Sequence, residues 1–103
     1  MTTSNEPGYY EDGAFGIRIE NVCITVAAPT ADNFGGKRYC QFETVTMCPM
    51  QTSLIDVSLM DVAEINWLNE YHATVLSKLL PLMQKLFPQS VQFLIESCQP
   101  ISK

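Results

Sequence analysis

The 103-residue chain is long enough for one domain with a real core and too short for two. A hydrophobic fraction of 47% against 17% charged residues excludes a disordered tail. Eleven acidic against six basic residues leave a net charge of −5, and no window gathers Lys or Arg, which excludes a phosphate-binding surface and so nucleic acid as a partner.

Met1 to Asp12 is polar and acidic, with neither a basic n-region nor an apolar h-region, so no secretory signal is expected. No stretch approaches the roughly 20 apolar residues that a bilayer span requires, and no membrane association is expected. Residues 4–16 hold three glycines and a proline and read as turns, with regular structure starting after Gly16. From Ile17 to Ala27 a β-branched run predicts a strand. Its alternation shifts from Ile17 and Ile19 to Val22, Ile24 and Val26, which predicts a bulge or a strand buried on both faces. Pro29 to Lys37 reads as a long hairpin connection, and a second strand is predicted from about Tyr39 to Met47, closed by Pro49.

Asp61 and Glu64 have the spacing of a capping box, and Ile65, Leu68, Val75, Leu79 and Leu86 follow at helical intervals, so a helix should begin near Asp61. His72 lies on its apolar stripe, which predicts a packing role. Trp67, with Leu68 and Tyr71, is also assigned to the core. Pro81 should kink or end this helix, and Pro88 suits the first residue of a shorter one with Val91, Leu94, Ile95 and Cys98 on one face. Cys23, Cys40, Cys48 and Cys98 have neither zinc-site nor dense-disulfide spacing and are expected to be reduced and mostly buried, although an even count also permits two disulfides. With no secretory signal, the cytoplasm is the expected location.

Two carboxylates carry candidate chemistry, Glu6 before a Pro-Gly turn and Glu20 inside the predicted strand, where an ionised group needs a cationic partner. Arg18, two residues from Glu20 on the same strand face, supplies one positive charge, and a metal ion would supply more. The spacing alone favours an edge strand with a solvated Arg18–Glu20 pair and Glu6 as a loop acid. Asp12, Asp32, Asp56 and Asp61 suit turns and caps better than ligation. Tyr9, Tyr10 and Phe15 are expected to pack the turn onto the core rather than line a pocket.

The uninterrupted run from Glu6-Pro7-Gly8-Tyr9-Tyr10-Glu11-Asp12-Gly13 through Ala14-Phe15-Gly16-Ile17-Arg18-Ile19-Glu20-Asn21-Val22 resembles the metal-binding block of cytosolic-type Xaa-Pro aminopeptidases, the aminopeptidase P family. The resemblance continues through Phe42-Glu43, Pro49, Gln51-Thr52, Ile55-Asp56-Val57, Trp67-Leu68-Asn69 and Tyr71-His72 to Gln99-Pro100-Ile101-Ser102-Lys103. It implies an α+β fold: a partial pita-bread with an antiparallel strand pair and ligand motifs in 1–57, then C-terminal helices in 58–103. It also implies two divalent ions, usually manganese, held by two Asp, one His and two Glu.

Only the two Glu map here. By motif position Glu6 would bind one ion and Glu20 would bridge both, with Arg18 holding the carboxylate, so Glu6 and Arg18 are the candidate catalytic residues and Glu6 and Glu20 the candidate metal ligands. The implied function is the C-terminal portion of an enzyme that removes the N-terminal residue from peptides with proline second. The chain by itself is expected to be inactive and to bind no metal tightly, and exposed strand edges favour homo-oligomers. Met1 falls where the family has an internal methionine, which fits a truncated gene, a short paralogue or an excised piece. The alternatives are a non-catalytic interaction or dimerisation module on the same fold, or another pita-bread hydrolase such as prolidase or methionine aminopeptidase. The Tyr-Tyr-Glu-Asp-Gly run and the Gln-Pro-Ile-Ser-Lys ending favour aminopeptidase P.

Overall fold

The computed structural model describes all residues from Met1 to Lys103. They form two compact units, Met1–Thr46 and Met47–Lys103.

The first unit is built from antiparallel strands: β1 (Thr2–Asn5), β2 (Gly8–Glu11), β3 (Phe15–Arg18), β4 (Asn21–Ala28) and β5 (Tyr39–Thr44). Strand β4 lies between β1 and β5 in one sheet, and β2 pairs with β3 in a second. In every β1–β4 and β2–β3 pair the two residue numbers add to 26, from Thr2 opposite Ile24 to Glu11 opposite Phe15. The gaps Glu6-Pro7 and Ile19-Glu20 therefore hold no extra residue, and the two pairings form one long ribbon. Its ladder is weak at Pro7, whose carbonyl accepts from Ile19 N–H at 3.0 Å while the proline has no N–H to return.

This arrangement corrects three expectations. Residues 4–16 are not turns alone: they supply most of a β-hairpin, closed where Ala14 N–H donates to Glu11 O at 3.0 Å and Gly13 takes a φ of +71°. The predicted strand from Ile17 to Ala27 is two strands, and Glu20 lies in the break between them. The shifted alternation is not a bulge, because the register is unbroken; the apolar residues change from one face of the ribbon to the other. The expected strand pair, β4 with β5, is present inside a larger sheet.

In the second unit the Asp61 side chain accepts from Glu64 N–H and the Glu64 side chain from Asp61 N–H, both at 2.8 Å. This capping box starts α1 (Val62–Leu86) where the sequence places it. The 25-residue helix runs through Pro81 instead of ending there. Leu79, Leu80 and Met83 on either side pack against the core, and that burial outweighs the hydrogen bond lost at the proline. Pro88 opens a short 3-10 turn leading into α2 (Val91–Ser97), whose Leu94 and following Cys98 are buried as expected.

The core joins Leu68, Tyr71 and Val75 of α1 to Leu94 and Cys98. Asn69 ties the tail to it, donating to Ile101 O at 2.9 Å and accepting from Ile101 N–H at 2.8 Å. Trp67 is 53% exposed, stacked on Tyr71, rather than core. All four cysteines are free, and only Cys23 and Cys98 are buried, so "mostly buried" fails for Cys40 and Cys48.

Candidate metal-ligand face

The ribbon register places the candidate residues. Alternate residues share a face, so Glu6, Gly8 and Tyr10 stand in a row opposite Glu20, Arg18 and Gly16. Hydrogen-bonded pairs fall at Pro7–Ile19 and at Met1–Thr25, where Thr25 N–H donates to Met1 O at 2.9 Å. Glu6 and Glu20 therefore face each other across a non-hydrogen-bonded pair, the position at which opposed side chains approach most closely. Two like charges so placed repel, and a cation between them is the direct remedy.

Arg18 supplies that cation. One of its terminal nitrogens lies 3.2 Å from Glu6 Oε2 and 3.9 Å from Glu20 Oε2. Its Nε–H donates to Tyr10 Oη at 2.8 Å, and its guanidinium carbon lies 5.8 Å from the centre of the Tyr10 ring. Ser4 Oγ donates to the other Glu6 oxygen at 2.7 Å. The Tyr10 hydrogen bond first, then the electrostatic influence of the Tyr10 phenol and the Glu6 carboxylate and more weakly of Glu20, hold the guanidinium pKa above its usual value.

Tyr10 needs room that only glycines leave. A Cβ on Gly8 would collide with the Tyr10 hydroxyl, and one on Gly16 would lie 2.8 Å from its ring. Tyr10 was assigned to packing, yet its hydroxyl orients the arginine that both carboxylates share. Tyr9 and Phe15 occupy the opposite face with ring centres 5.9 Å apart, but at 58% and 59% exposed they touch each other and do not pack the turn onto the core, which corrects that expectation.

Glu6, Arg18 and Glu20 are thus brought together. His72 is not part of this face: it is fully buried in the second unit, as its packing assignment required. Asp56 and Asp61 are caps and Asp12 lies in the hairpin turn. Hydrogen bonds from Ser58 lower the pKa of Asp56, as its capping role implies.

Divalent ions of the manganese type take several oxygen ligands. The two opposed carboxylates fit part of such a set, each with 43 to 48% of its side chain open to a further partner. They do not fit a whole one, because no group of three or more His, Cys, Asp or Glu side chains converges.

Residues 38–101 match the family model described as the C-terminal region of peptidase M24, and the chain belongs to that family. Among its relatives, a probable Xaa-Pro aminopeptidase P of Coprinopsis cinerea is 57% identical over 84 residues, 82% of this chain and 14% of that protein. Aminopeptidase P2 of Arabidopsis thaliana is 48% identical over 103 residues, all of this chain and 14% of that protein. The crystal structure of an X-prolyl aminopeptidase from Caenorhabditis elegans, described as a cytosolic enzyme with a di-nuclear active site, superposes with a TM-score of 0.84 at 40% identity. It covers 97% of this chain and 16% of that one. The chain therefore has the α+β architecture of one part of a pita-bread metallopeptidase and spans about one-seventh of the length of its relatives. No helix is long and apolar enough to cross a membrane.

Proposed function

We propose that this chain supplies Glu6 and Glu20 to the two-metal centre of an aminopeptidase that removes the N-terminal residue from peptides with proline second. The observation that carries the reading is the opposition of the two carboxylates across an unbroken register with one arginine shared between them. An interaction module on the same fold has no physical need for that arrangement. The ligand motifs belong to residues 1–57, and the helical segment 58–103 completes this end of the catalytic domain.

Glu6 and Glu20 would be the two ligands that this chain contributes to the pair of ions. Arg18, fixed by Tyr10, stops the carboxylates from rotating apart and neutralises part of their repulsion. Manganese is the ion the oxygen donors suit, and when bound the pair supplies Lewis acidity and a water of lowered pKa. Glu6, with one oxygen already accepting from Ser4, is placed to hold a proton and pass it to the departing amine. The intact protein acts in the cytoplasm, as its Caenorhabditis relative is said to do. It assembles as a homo-oligomer, for which exposed Leu82, Leu86, Phe87 and Phe93 offer apolar surface.

The test grafts residues 1–103 in place of the matching segment of the Arabidopsis aminopeptidase P2, which aligns over all 103 residues. The chain alone should not cleave an Xaa-Pro peptide with manganese. The graft should cleave it, and Glu6→Gln or Glu20→Gln should each lower turnover by more than about 100-fold, beyond the effect of losing a supporting residue. Turnover by the chain alone, or a graft indifferent to Glu20→Gln, overturns the proposal.

A further inference from the structure

Residues 47–50 belong to neither strand nor helix. Pro49 has no N–H, and the two remaining backbone donors between Cys48 and Met50 go to adjacent side chains of α1. Cys48 N–H donates to Tyr71 Oη at 3.4 Å, and the same hydroxyl donates to Cys48 O at 2.8 Å. Met50 N–H donates to His72 Nε2 at 3.0 Å. The segment forms one wall of an apolar cleft of about 320 Å³, with Phe93 and Ser97 across from it.

We propose that His72 forms an acid-sensitive latch, in which the neutral imidazole holds Met50, and with it this wall of the cleft, and protonation frees Met50. Nε2 can accept from Met50 only while it carries no hydrogen, so the ring hydrogen sits on Nδ1. His72 is 0% exposed, and its Nδ1 is buried without a partner. A second proton would set a donor on Nε2 against the Met50 N–H and bury a charge beside an already unsatisfied donor.

Tyr71 donates only at its distal oxygen and continues to hold Cys48 whatever the state of His72, so the release begins at Met50. The ionisable side chains packed in this region are Tyr71 on α1, Cys48 on the segment and Cys98 after α2. Glu70 and Lys78 on α1 and Glu96 on α2 occupy exposed positions. None of the buried neighbours is a carboxylate that would welcome an imidazolium. Burial accordingly lowers the His72 pKa from its ordinary value.

The sign follows from that direction. The folded pKa lies below that of the open segment, near the ordinary 6.5 or so, so the latch holds fully above that pH and weakens as pH falls toward the folded value. Amide exchange of the 103-residue chain tests it. Between pH 7.5 and 5.5 the protection factor of the Met50 amide should fall by up to about tenfold, while that of Ile17 in β3, whose local opening does not expose His72, should stay within about twofold. In His72→Gln the amide oxygen can take the same hydrogen bond but does not protonate, and the pH dependence should vanish. No fall in the native chain, or an equal fall in His72→Gln, overturns the latch. Should His72→Gln not fold, the imidazole nitrogen shifts of the native chain decide: an Nδ1–H ring is expected, and an Nε2–H ring overturns it.

Discussion

In Met1–Thr46 the residues that carry chemistry stand on an open ribbon face, where Glu6, Arg18 and Glu20 keep 43 to 49% of their side-chain surface in solvent. In Met47–Lys103 the corresponding investment is in enclosure: Leu68, His72 and Val75 are almost wholly buried. Half-exposed ion pairs contribute little to stability, whereas a buried leucine contributes several kcal/mol. The contrast teaches that the glutamates of the ribbon are not explained by holding the fold. The helical unit carries that task, and the ribbon is free to keep two repelling carboxylates in register.

The largest effect should come from Leu68→Ala, which empties the centre of the core and should cost about 2–5 kcal/mol in denaturant or thermal unfolding. Glu20→Gln should stay within about 0.5 kcal/mol of the native chain in the same measurement. If the two variants lose comparable stability, Glu20 is a structural residue and the contrast between the units fails.

Next in size is Gly8→Ala. The Gly8 backbone does not have a positive φ, so the effect must come from the new methyl group striking the Tyr10 hydroxyl. Displacing Tyr10 frees Arg18 and should weaken manganese binding by the grafted enzyme by about 10- to 100-fold, the usual cost of losing a residue that orients a ligand. A metal titration checks it, and Tyr10→Phe, which removes only the hydroxyl that receives Arg18 Nε–H, should reproduce most of the loss. A Gly8→Ala graft with native affinity would show that Arg18 holds the carboxylates without help.

What could be read from the residues, and what could not, follows the same division. The second unit was legible because its signals are local: the Asp61–Glu64 box, the stripe through His72 and Val75, and Pro88 ahead of α2 each act within a few residues. Pro81 was misjudged because packing of Leu79, Leu80 and Met83 decided it, and packing is not local. In the first unit Glu6, Arg18 and Glu20 were found through motif resemblance, while the ribbon that aligns them was not. Three glycines and a proline look like turns, yet Gly8 and Gly16 are there to admit a tyrosine ring. One signal was available: a hairpin turn at Asp12–Ala14, counted outward on both sides, sets Glu6 opposite Glu20.

The smallest effect sharpens the comparison most, because it is confined to one unit. Asp61→Ala removes the acceptor for Glu64 N–H and leaves the Glu64 side chain as half of a capping box. The expected cost is about 1 kcal/mol, within a usual range of about 0.5–2 kcal/mol, and Asp61→Asn should restore most of it, since its amide oxygen still accepts. Amide exchange should accelerate in the first turn of α1, from Ala63 to Ile65, while β2 and β3 keep their native rates. The cap lies in one compact unit and the Glu6–Arg18–Glu20 triad in the other, so exchange at Tyr9 and Ile17 is the control, and acceleration there in Asp61→Ala would show that the two are energetically coupled.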